Sequence, residues 1–319
     1  MEKLTRKQAF ALAMDAYKGI SSDDNYTAEE RKDGMRKYLS DLAKDYRRNK
    51  IEIFEIIETV IGDVLPQRIE TALSFAEVKV TAEGDIPKFT VKNGKIKAFT
   101  VALGGTVRRQ RRDRQTITVE TEGIQTKVYE ELGRIRAGLV DFAELIDDAL
   151  DALEEEYMSK IYTALTGTYA NLPATNKHQA ASMVEAEFDK LIKVVASYGE
   201  PVIYGTSAAL ATLATAGGVE DLADKRNQGY VLRYKGRRVV ELPNSTVDDT
   251  NAAFQLTDRY IYIIPEGKEK IVKVGIEGDA YVRESDGEDW TQNFEIMQQS
   301  GVAVLQLNYF ATYDNTALA

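Results

Sequence analysis

The side chains best able to do chemistry are a run of arginines and, downstream of it, a helix rich in carboxylates. The run places five arginines within seven residues: Arg108, Arg109, Arg111, Arg112 and Arg114. The guanidinium group forms paired hydrogen bonds with phosphates and with carboxylates, so these are the two kinds of partner that the run predicts. The helix predicted from about Asp141 to Leu165 carries one lysine, Lys160, and eight acidic residues: Asp141, Glu144, Asp147, Asp148, Asp151, Glu154, Glu155 and Glu156.

The arginine run has three interpretations. A nucleic-acid surface would use the arginines for phosphates, but no aromatic residue lies among them to stack on bases. A solvated, charged loop is the second. We favour the third, which is pairing with the acidic surface of a neighbouring copy, because the same chain supplies that surface. The carboxylates that we expect in this contact between subunits are Asp147, Asp151, Glu154 and Glu155.

The sequence contains few of the residue types and motifs that common catalytic sites use. His178 is the only histidine and the chain has no cysteine, which excludes two-histidine metal motifs, thiolate metal sites and thiol nucleophiles. His178 lies in the turn-like segment 172–178, which leads into a predicted helix, and we expect an ordinary surface or capping role. No serine lies in a Gly-x-Ser-x-Gly elbow, and the glycines between 205 and 218 lack the ending of a phosphate-binding loop.

Two carboxylate clusters also have a simpler interpretation. The sequence Asp286-Gly287-Glu288-Asp289 is interpreted as a surface turn, because Val282 stands where a calcium loop would need a ligand. Glu154 and Glu155 could serve acid–base chemistry in principle, but such pairs on an exposed helix face are mostly solvated charge. We therefore expect no catalytic, metal-binding or cofactor-binding residues, no cofactor, and a protein that is not an enzyme.

The composition is that of a folded protein. Its 319 residues, 44% hydrophobic and 29% charged, are enough to bury a sizeable core and to form two lobes. The sequence contains no run of about 18 apolar residues, so no membrane span is predicted. The segment Met1–Gln8 lacks the apolar part of a signal peptide. The net charge of −10 argues against a chain that grips nucleic acid, but would suit one that lines a container of DNA.

The first third of the chain predicts helices. Capping boxes at Thr5–Gln8 and Thr27–Glu30 open two of them. The second helix has an apolar stripe at Met35, Tyr38, Leu39, Leu42 and Tyr46. A further amphipathic stretch, which includes Ile53 and Ile61, is expected to stop near Leu65-Pro66. This third is more typical of an arm than of a globular core.

Strands and a long helix follow. The segment 76–121 predicts a protruding excursion, with a hairpin turn at Asn93-Gly94 and a returning strand at 96–101. The long acidic helix comes next, with Asp141 as its N-cap. Its continuous apolar stripe is predicted at Phe142, Leu145, Ile146, Ala149, Leu150, Leu153, Tyr157, Ile161 and Ala164. We place a domain boundary near Gly199, with a small-residue helix expected at 207–214. The strands expected after the boundary are 202–205, 230–234, 238–242, 260–264, 270–274 and 301–312, of which 230–234 and 238–242 form a hairpin around Lys235-Gly236.

This order resembles the major capsid protein of tailed double-stranded DNA phages, which has the Hong Kong 97-type fold. The resemblance rests on the excursion at 76–121, the helix Asp141–Leu165, and the segments 201–207, 228–240 and 262–267. It implies an α+β capsid fold with an N-terminal helical arm (1–75) and an extended β-hairpin loop (76–121). It also implies a peripheral domain (122–198 and 276–300), which carries the long helix as a spine, and an axial domain (199–275 and 301–319).

The resemblance also implies a function. Such proteins assemble with themselves into hexamers and pentamers that form an icosahedral phage head around double-stranded DNA, without sequence-specific binding. Scaffolding, portal and decoration proteins are possible partners, no membrane is involved, and the protein is a virion component assembled in the host cytoplasm. We expect no large processed N-terminal segment and no Lys–Asn cross-link.

Two alternatives stay open. An encapsulin-like compartment would share the fold but enclose cargo protein instead of DNA. A hydrolase that uses carboxylates of the second domain is the third possibility, and turnover by a soluble monomer would favour it.

Overall fold

Two larger β-sheets, one two-stranded sheet and two hydrophobic cores organise the residues that the computed structural model describes. These residues are 6–18, 27–93, 113–131, 134–135, 137, 139–215, 229–247, 250, 252–267, 269–287 and 290–318. The helices are α1 (Arg6–Lys18), α2 (Ala28–Ala43), α3 (Tyr46–Ala72), α4 (Phe142–Gly167), α5 (Glu185–Ala196) and α6 (Ser207–Ala211). None of the helices in these ranges is long and apolar enough to cross a membrane.

Strands that are neighbours in a sheet are often distant from each other in the chain. The strands are β1 (Ala76–Thr81), β2 (Lys88–Asn93), β3 (Asp113–Thr118), β4 (Glu122–Glu131), β5 (Lys177–Ala180), β6 (Glu200–Gly205), β7 (Arg233–Tyr234), β8 (Arg237–Glu241), β9 (Tyr260–Glu266), β10 (Val272–Asp286), β11 (Thr291–Val304) and β12 (Ala311–Asn315). One sheet has the order β1-β10-β11-β4, the second β5-β12-β9-β6-β8-β7, and β2 pairs with β3 alone.

The N-terminal helices begin as predicted but end elsewhere. The Thr27 hydroxyl accepts a hydrogen bond from the Glu30 amide (3.3 Å), and the Glu30 carboxylate accepts one from the Thr27 amide (2.9 Å), which completes the capping box of α2. The other predicted box, Thr5–Gln8, lies partly outside the described residues. The predicted stripe of α2 stops at Leu42, because Tyr46 already belongs to α3.

The expectation that the next helix stops at Leu65-Pro66 is wrong. Helix α3 passes through Pro66 and ends at Ala72. Proline removes one helical hydrogen bond. Leu65 and Ile69, on either side of it, are fully buried. Their packing holds the backbone in helical register, since tertiary packing supplies most of a helix's stability in a folded protein.

The main core lies between the helices and one face of the sheet β1-β10-β11-β4. The predicted apolar stripe of α4 is confirmed, and the buried members are Phe142, Leu145, Ile146, Ala149, Leu150, Leu153, Tyr157 and Ile161. The rings of Tyr46 and Phe142 stack at 5.8 Å, and Phe142 meets Phe294 of β11 edge-on at 5.8 Å. These contacts join α3, α4 and the sheet.

The sequence predicts an N-terminal arm with little core, whereas α2 and α3 bury their stripes in this main core. Met35, Ile53, Val60 and Leu65 are fully enclosed there. An amphipathic helix must cover its apolar face, and α4 with the sheet supplies the cover within the same chain. The identification of residues 1–75 as a capsid arm stays a prediction.

The second core lies between the six-stranded sheet and α5. Phe188, Leu191 and Val195 of α5 pack there against strand residues such as Ile203 and Ile261. The predicted hairpin at 230–242 is confirmed by β7 and β8, whose turn has positive φ at Lys235 (46°) and Gly236 (77°). The predicted boundary near Gly199 separates α5 from the sheet on which it packs, and the division into domains stays a prediction.

One predicted strand is wrong, and one long hairpin was not predicted. The segment 301–312 is two strands, because β11 ends at Val304 and a turn with a positive φ at Gln306 (59°) precedes β12. Strands β10 and β11 run far beyond the predicted 270–274 and form a long antiparallel hairpin. Their polar stretch from Glu277 to Asp279 and the pair Gln298-Gln299 obscure the alternation that would have indicated strands.

A buried ion pair supports the second sheet. Asp314 of β12 is fully enclosed and accepts two hydrogen bonds from the Arg259 guanidinium, one from Nη2 at 2.7 Å and one from Nε. We expect Asp314→Ala to lower the free energy of unfolding by about 3 kcal/mol, because it leaves a partly buried guanidinium without its partner. Urea denaturation would measure this.

Asp148→Ala is the matched control, because Asp148 is exposed on α4 and surface substitutions usually change stability by less than about 0.5 kcal/mol. Equal effects of the two substitutions would contradict the structural role of the Arg259–Asp314 pair.

Candidate assembly interface

A two-stranded ribbon extends from the main sheet. Strands β2 and β3 pair in antiparallel register from Lys88–Thr118 to Asn93–Asp113. The predicted Asn93-Gly94 turn, the returning strand 96–101 and the arginines at 108, 109, 111 and 112 lie outside the described residues. Arg114 is described: it lies on β3 opposite Lys92 and is exposed. The described part of the ribbon therefore leads toward the arginine run.

The root of the ribbon rests on two glycines. Gly275 of β10 and Gly301 of β11 are cross-strand partners. On that face of the sheet, a Cβ at Gly275 would lie 2.6 Å from the Cβ of Pro87, and a Cβ at Gly301 would overlap the carbonyl oxygen of Glu120. The absence of side chains at both glycines lets the backbone of the ribbon root approach the sheet closely.

A single carboxylate contacts both legs of the ribbon. Glu277 of β10 accepts a hydrogen bond from the Gly84 amide (3.1 Å), on the leg that enters β2. Its other oxygen accepts one from the Thr121 hydroxyl (2.6 Å), on the leg that leaves β3. The two legs are also joined to each other, since the Val119 amide donates to the Pro87 carbonyl (3.0 Å).

The first ribbon strand is held by lysines. The Phe89 ring is buried, and the ammonium groups of Lys79 and Lys273 lie 5.8 and 5.7 Å from its centre. Such cation–π contacts contribute about 0.5–1 kcal/mol at partly exposed sites. Lys79 also donates to the Lys88 carbonyl (2.8 Å), and Lys273 pairs with Glu77. The root of the ribbon is therefore packed and hydrogen-bonded to the body.

The predicted acidic surface of α4 has partners within the same chain. Asp147 pairs with Lys32 of α2 (3.3 Å). Arg68 of α3 pairs with Asp151 (2.7 Å) and with Glu154 (3.4 Å).

Glu155 accepts a hydrogen bond from Gln255 (3.3 Å). The Asp151 side chain remains 73% exposed, against 28% for Glu154, so Asp151 is the more open of these two carboxylates to a further partner. The contact between subunits that the sequence predicts for these acids stays a prediction.

The N-terminus of α4 joins three helices. The Asp141 carboxylate caps α4 by accepting from the amides of Ala143 (3.1 Å) and Glu144 (3.3 Å), and it pairs with Arg36 of α2 (2.9 Å). The Tyr17 hydroxyl of α1 donates to the Ala143 carbonyl (3.2 Å). Burial, with Asp147 and Asp141 nearby, raises the pKa of Tyr17, so this hydroxyl remains a donor over the physiological pH range.

The other residues that the sequence singled out, His178 and Asp286, contact neighbouring parts of the fold. His178 does not lie in a turn: it is on β5 opposite Tyr313, whose ring lies 5.4 Å away, and its Nδ1 is 3.9 Å from Glu187. Asp286 ends β10 and accepts from Gln292 (2.6 Å). Across the described ranges, no three His, Cys, Asp or Glu side chains are grouped so as to hold a metal ion.

Sequence reasoning missed the residues at the ribbon root. Gly275 and Glu277 lie beyond the predicted strand 270–274, and Gly301 was predicted as the first residue of a strand although it lies near the end of β11. A glycine inside a strand is a signal for close backbone approach, but it becomes informative only once the strand is recognised and its cross-strand partner is known.

Comparisons with known proteins agree on one family. A family model described as "SPbeta prophage-derived putative capsid protein YonB" matches residues 11–314 of the chain. The SPbeta prophage-derived protein YonB of Bacillus subtilis (strain 168) is 25% identical over 273 residues, which cover 78% of this chain and 79% of that protein.

Solved structures share the architecture. A chain of the satellite phage P4 procapsid, in a structure that includes the size determination (Sid) protein, matches with a TM-score of 0.51 and 10% identity over 79% of this chain and 89% of that chain. A chain of Microbacterium phage Oxtober96 matches with a TM-score of 0.51 and 13% identity, over 76% and 90% respectively. At such identities the likeness concerns the fold alone, which is of the Hong Kong 97 type, as expected.

The cap of α4 can be tested with two substitutions. Asp141→Ala is expected to lower the free energy of unfolding by about 1 kcal/mol, because two amides of the first turn lose their acceptor. Asp141→Asn keeps an oxygen for the amides and loses only the exposed pair with Arg36, so its effect should be smaller. If urea denaturation shows the same loss for both, the cap is not what Asp141 contributes.

Proposed function

The chain belongs to the YonB family, and we propose that it assembles into hexamers and pentamers that close an icosahedral phage head around double-stranded DNA. Capsid proteins of this family and fold are structural components of virions. The family match over residues 11–314 carries the proposal. Host-cytoplasmic assembly, and help from scaffolding, portal and decoration proteins, are parts of the same proposal.

The ribbon supports a contact between copies. It is firmly packed at its root, while β2 and β3 pair with each other alone. A surface that reaches from one copy to a different surface on the next is a heterologous contact, and repetition of such a contact generates rings when the rotation closes. Each copy then gives one ribbon and receives one.

We infer that the arginine run, of which Arg114 lies on β3, contacts the acidic helix α4 of a neighbour. Asp151 is the most suitable acceptor, because its side chain is largely exposed although Arg68 already contacts it. Exposed ion pairs contribute only about 0–1 kcal/mol each. Repeated around a shell, such weak pairs favour the correct register while leaving incorrect contacts reversible.

The charge of the chain supports enclosure of DNA without tight binding. With a net charge of −10, the shell would repel phosphates except where arginines or lysines face inward. An encapsulin-like shell that encloses cargo protein is the alternative within the same fold, and the contents of the particle distinguish the two.

Charge reversal tests the contact. Arg109→Glu with Arg112→Glu should abolish assembly while the monomer stays folded, because both substitutions place like charges against α4. Arg109→Lys with Arg112→Lys keeps the charge and is the matched control. Size exclusion and negative-stain electron microscopy would measure assembly, and circular dichroism the folding.

A rescue variant sharpens this test. Adding Asp151→Lys and Glu155→Lys to the reversed arginines should restore part of the assembly, because opposite charges again face each other. Normal shells from the doubly reversed arginine variant would contradict the pairing, although not the capsid function.

The contents of particles from the native host test the enclosed partner. We expect nuclease-resistant double-stranded DNA inside purified particles, detected after digestion of external nucleic acid. Particles that hold one cargo protein and no protected DNA would favour the compartment instead.

A further inference from the structure

We propose that Glu277, together with the cross-strand pair Gly275 and Gly301, is a positioning site that sets the direction in which the β2–β3 ribbon leaves the body. This direction then sets the geometry with which one copy reaches the next. The second statement rests on the proposed function, since a ribbon positions a neighbour only if copies assemble.

The sheet order forces the ribbon across the centre of the sheet. Its first leg starts at the end of β1 and its second ends at the start of β4, and these are the two edge strands of the order β1-β10-β11-β4. The legs must therefore meet above β10 and β11. They do so on the face opposite α4, because Gln298, which accepts a hydrogen bond from Tyr157 of α4 (3.0 Å), points to the other side from its neighbour Gln299.

The glycine pair determines how close the legs come. Pro87 lies over Gly275, and Glu120 with Val119 lies over Gly301. Such close packing sets a distance but only weakly resists rotation in the plane of the sheet. A side chain on either glycine would lift the corresponding leg.

The hydrogen bonds of Glu277 set the direction of the ribbon. Glu277 faces the same side as the glycine pair, two residues along β10, and its cross-strand partner is Gln299. One oxygen holds the Gly84 amide of the first leg, and the other holds the Thr121 hydroxyl of the second. Hydrogen bonds weaken steeply when they are bent, so two bonds on opposite legs resist rotation of the ribbon about its root.

The length of the ribbon amplifies a small rotation. Six residues of β2 span about 20 Å at 3.3 Å per residue, so a rotation of about 10° at the root moves Asn93 by roughly 3 Å. That displacement is enough to break the hydrogen bonds and ion pairs of a contact between copies.

The orientation of the ribbon can be measured within one chain. The protein has no cysteine, so Thr116→Cys on β3 and Asp148→Cys on α4, both exposed, can carry spin labels. Labelled chains are diluted with unlabelled chains, so that pulsed electron paramagnetic resonance reports distances inside one copy. The parent chain should show one narrow distance distribution.

Four substitutions test the positioning site. Glu277→Ala loses both hydrogen bonds and should broaden the distribution. Glu277→Gln should preserve it, since its oxygen accepts from the Gly84 amide and its NH₂ donates to the Thr121 hydroxyl. Gln299→Ala, on the exposed cross-strand partner, should also leave it unchanged. Gly301→Ala should shift the mean distance, because the leg at Glu120 must move.

The outcomes separate positioning from stability and from assembly. A lower melting temperature for Glu277→Ala with an unchanged distance distribution would mean a merely structural role and would overturn the proposal. In electron micrographs, the yield of regular shells should fall several-fold for Glu277→Ala but not for Glu277→Gln or Gln299→Ala.

Regular shells from Glu277→Ala would overturn the link between ribbon direction and assembly geometry. If the parent chain itself forms no shells under any condition, the proposed function fails, while the distance measurements still decide whether Glu277 positions the ribbon.

Discussion

The pairing of β10 with β11 is the interaction on which the rest of this structure depends. These two strands form the centre of the four-stranded sheet, and their chain comes from β9 and continues into β12, both in the second sheet. One face of the hairpin buries α3 and α4 through residues such as Phe294 and Ile296. The other face holds the ribbon root on Gly275 and Gly301. One hairpin therefore joins the two cores and carries the β2–β3 ribbon.

The charges of α4 serve the fold before they serve any contact between copies. Cations of α2 and α3 lie within ion-pair distance of Asp141, Asp147, Asp151 and Glu154. The acidic helix is thus partly neutralised by its own chain, and Arg68 alone contacts two of its carboxylates. Exposed pairs of this kind are individually weak. A neighbour's arginines would share or displace these partners at little energetic cost, which suits an assembly whose incorrect contacts must remain reversible.

Local patterns in the sequence predicted local structure well. The α4 stripe, its Asp141 cap, the Thr27 capping box and the Lys235-Gly236 turn are confirmed, because each depends on residues within one or two helical turns or one hairpin. The errors lie where packing between distant segments decides the structure. Helix α3 continues through Pro66 because Leu65 and Ile69 are buried. The long β10–β11 hairpin was not predicted because polar residues on its outer face, such as Glu277 and Gln299, obscure the strand pattern. His178 lies on a strand because β12 pairs with it.

The sequence by itself determined the charge segregation, the single histidine and the absence of cysteine, which are read directly from its composition. It also predicted most of the order of the elements from short-range periodicity, and the resemblance to a capsid fold rests on that order. Only the tertiary structure decided which helices share the main core, which cations meet the acids of α4, and that Gly275, Gly301 and Glu277 meet the two legs of the ribbon. The physical reason is that the ribbon root combines segments near residues 84, 121, 277 and 301. No local pattern in a single sequence records which of its distant strands will pair.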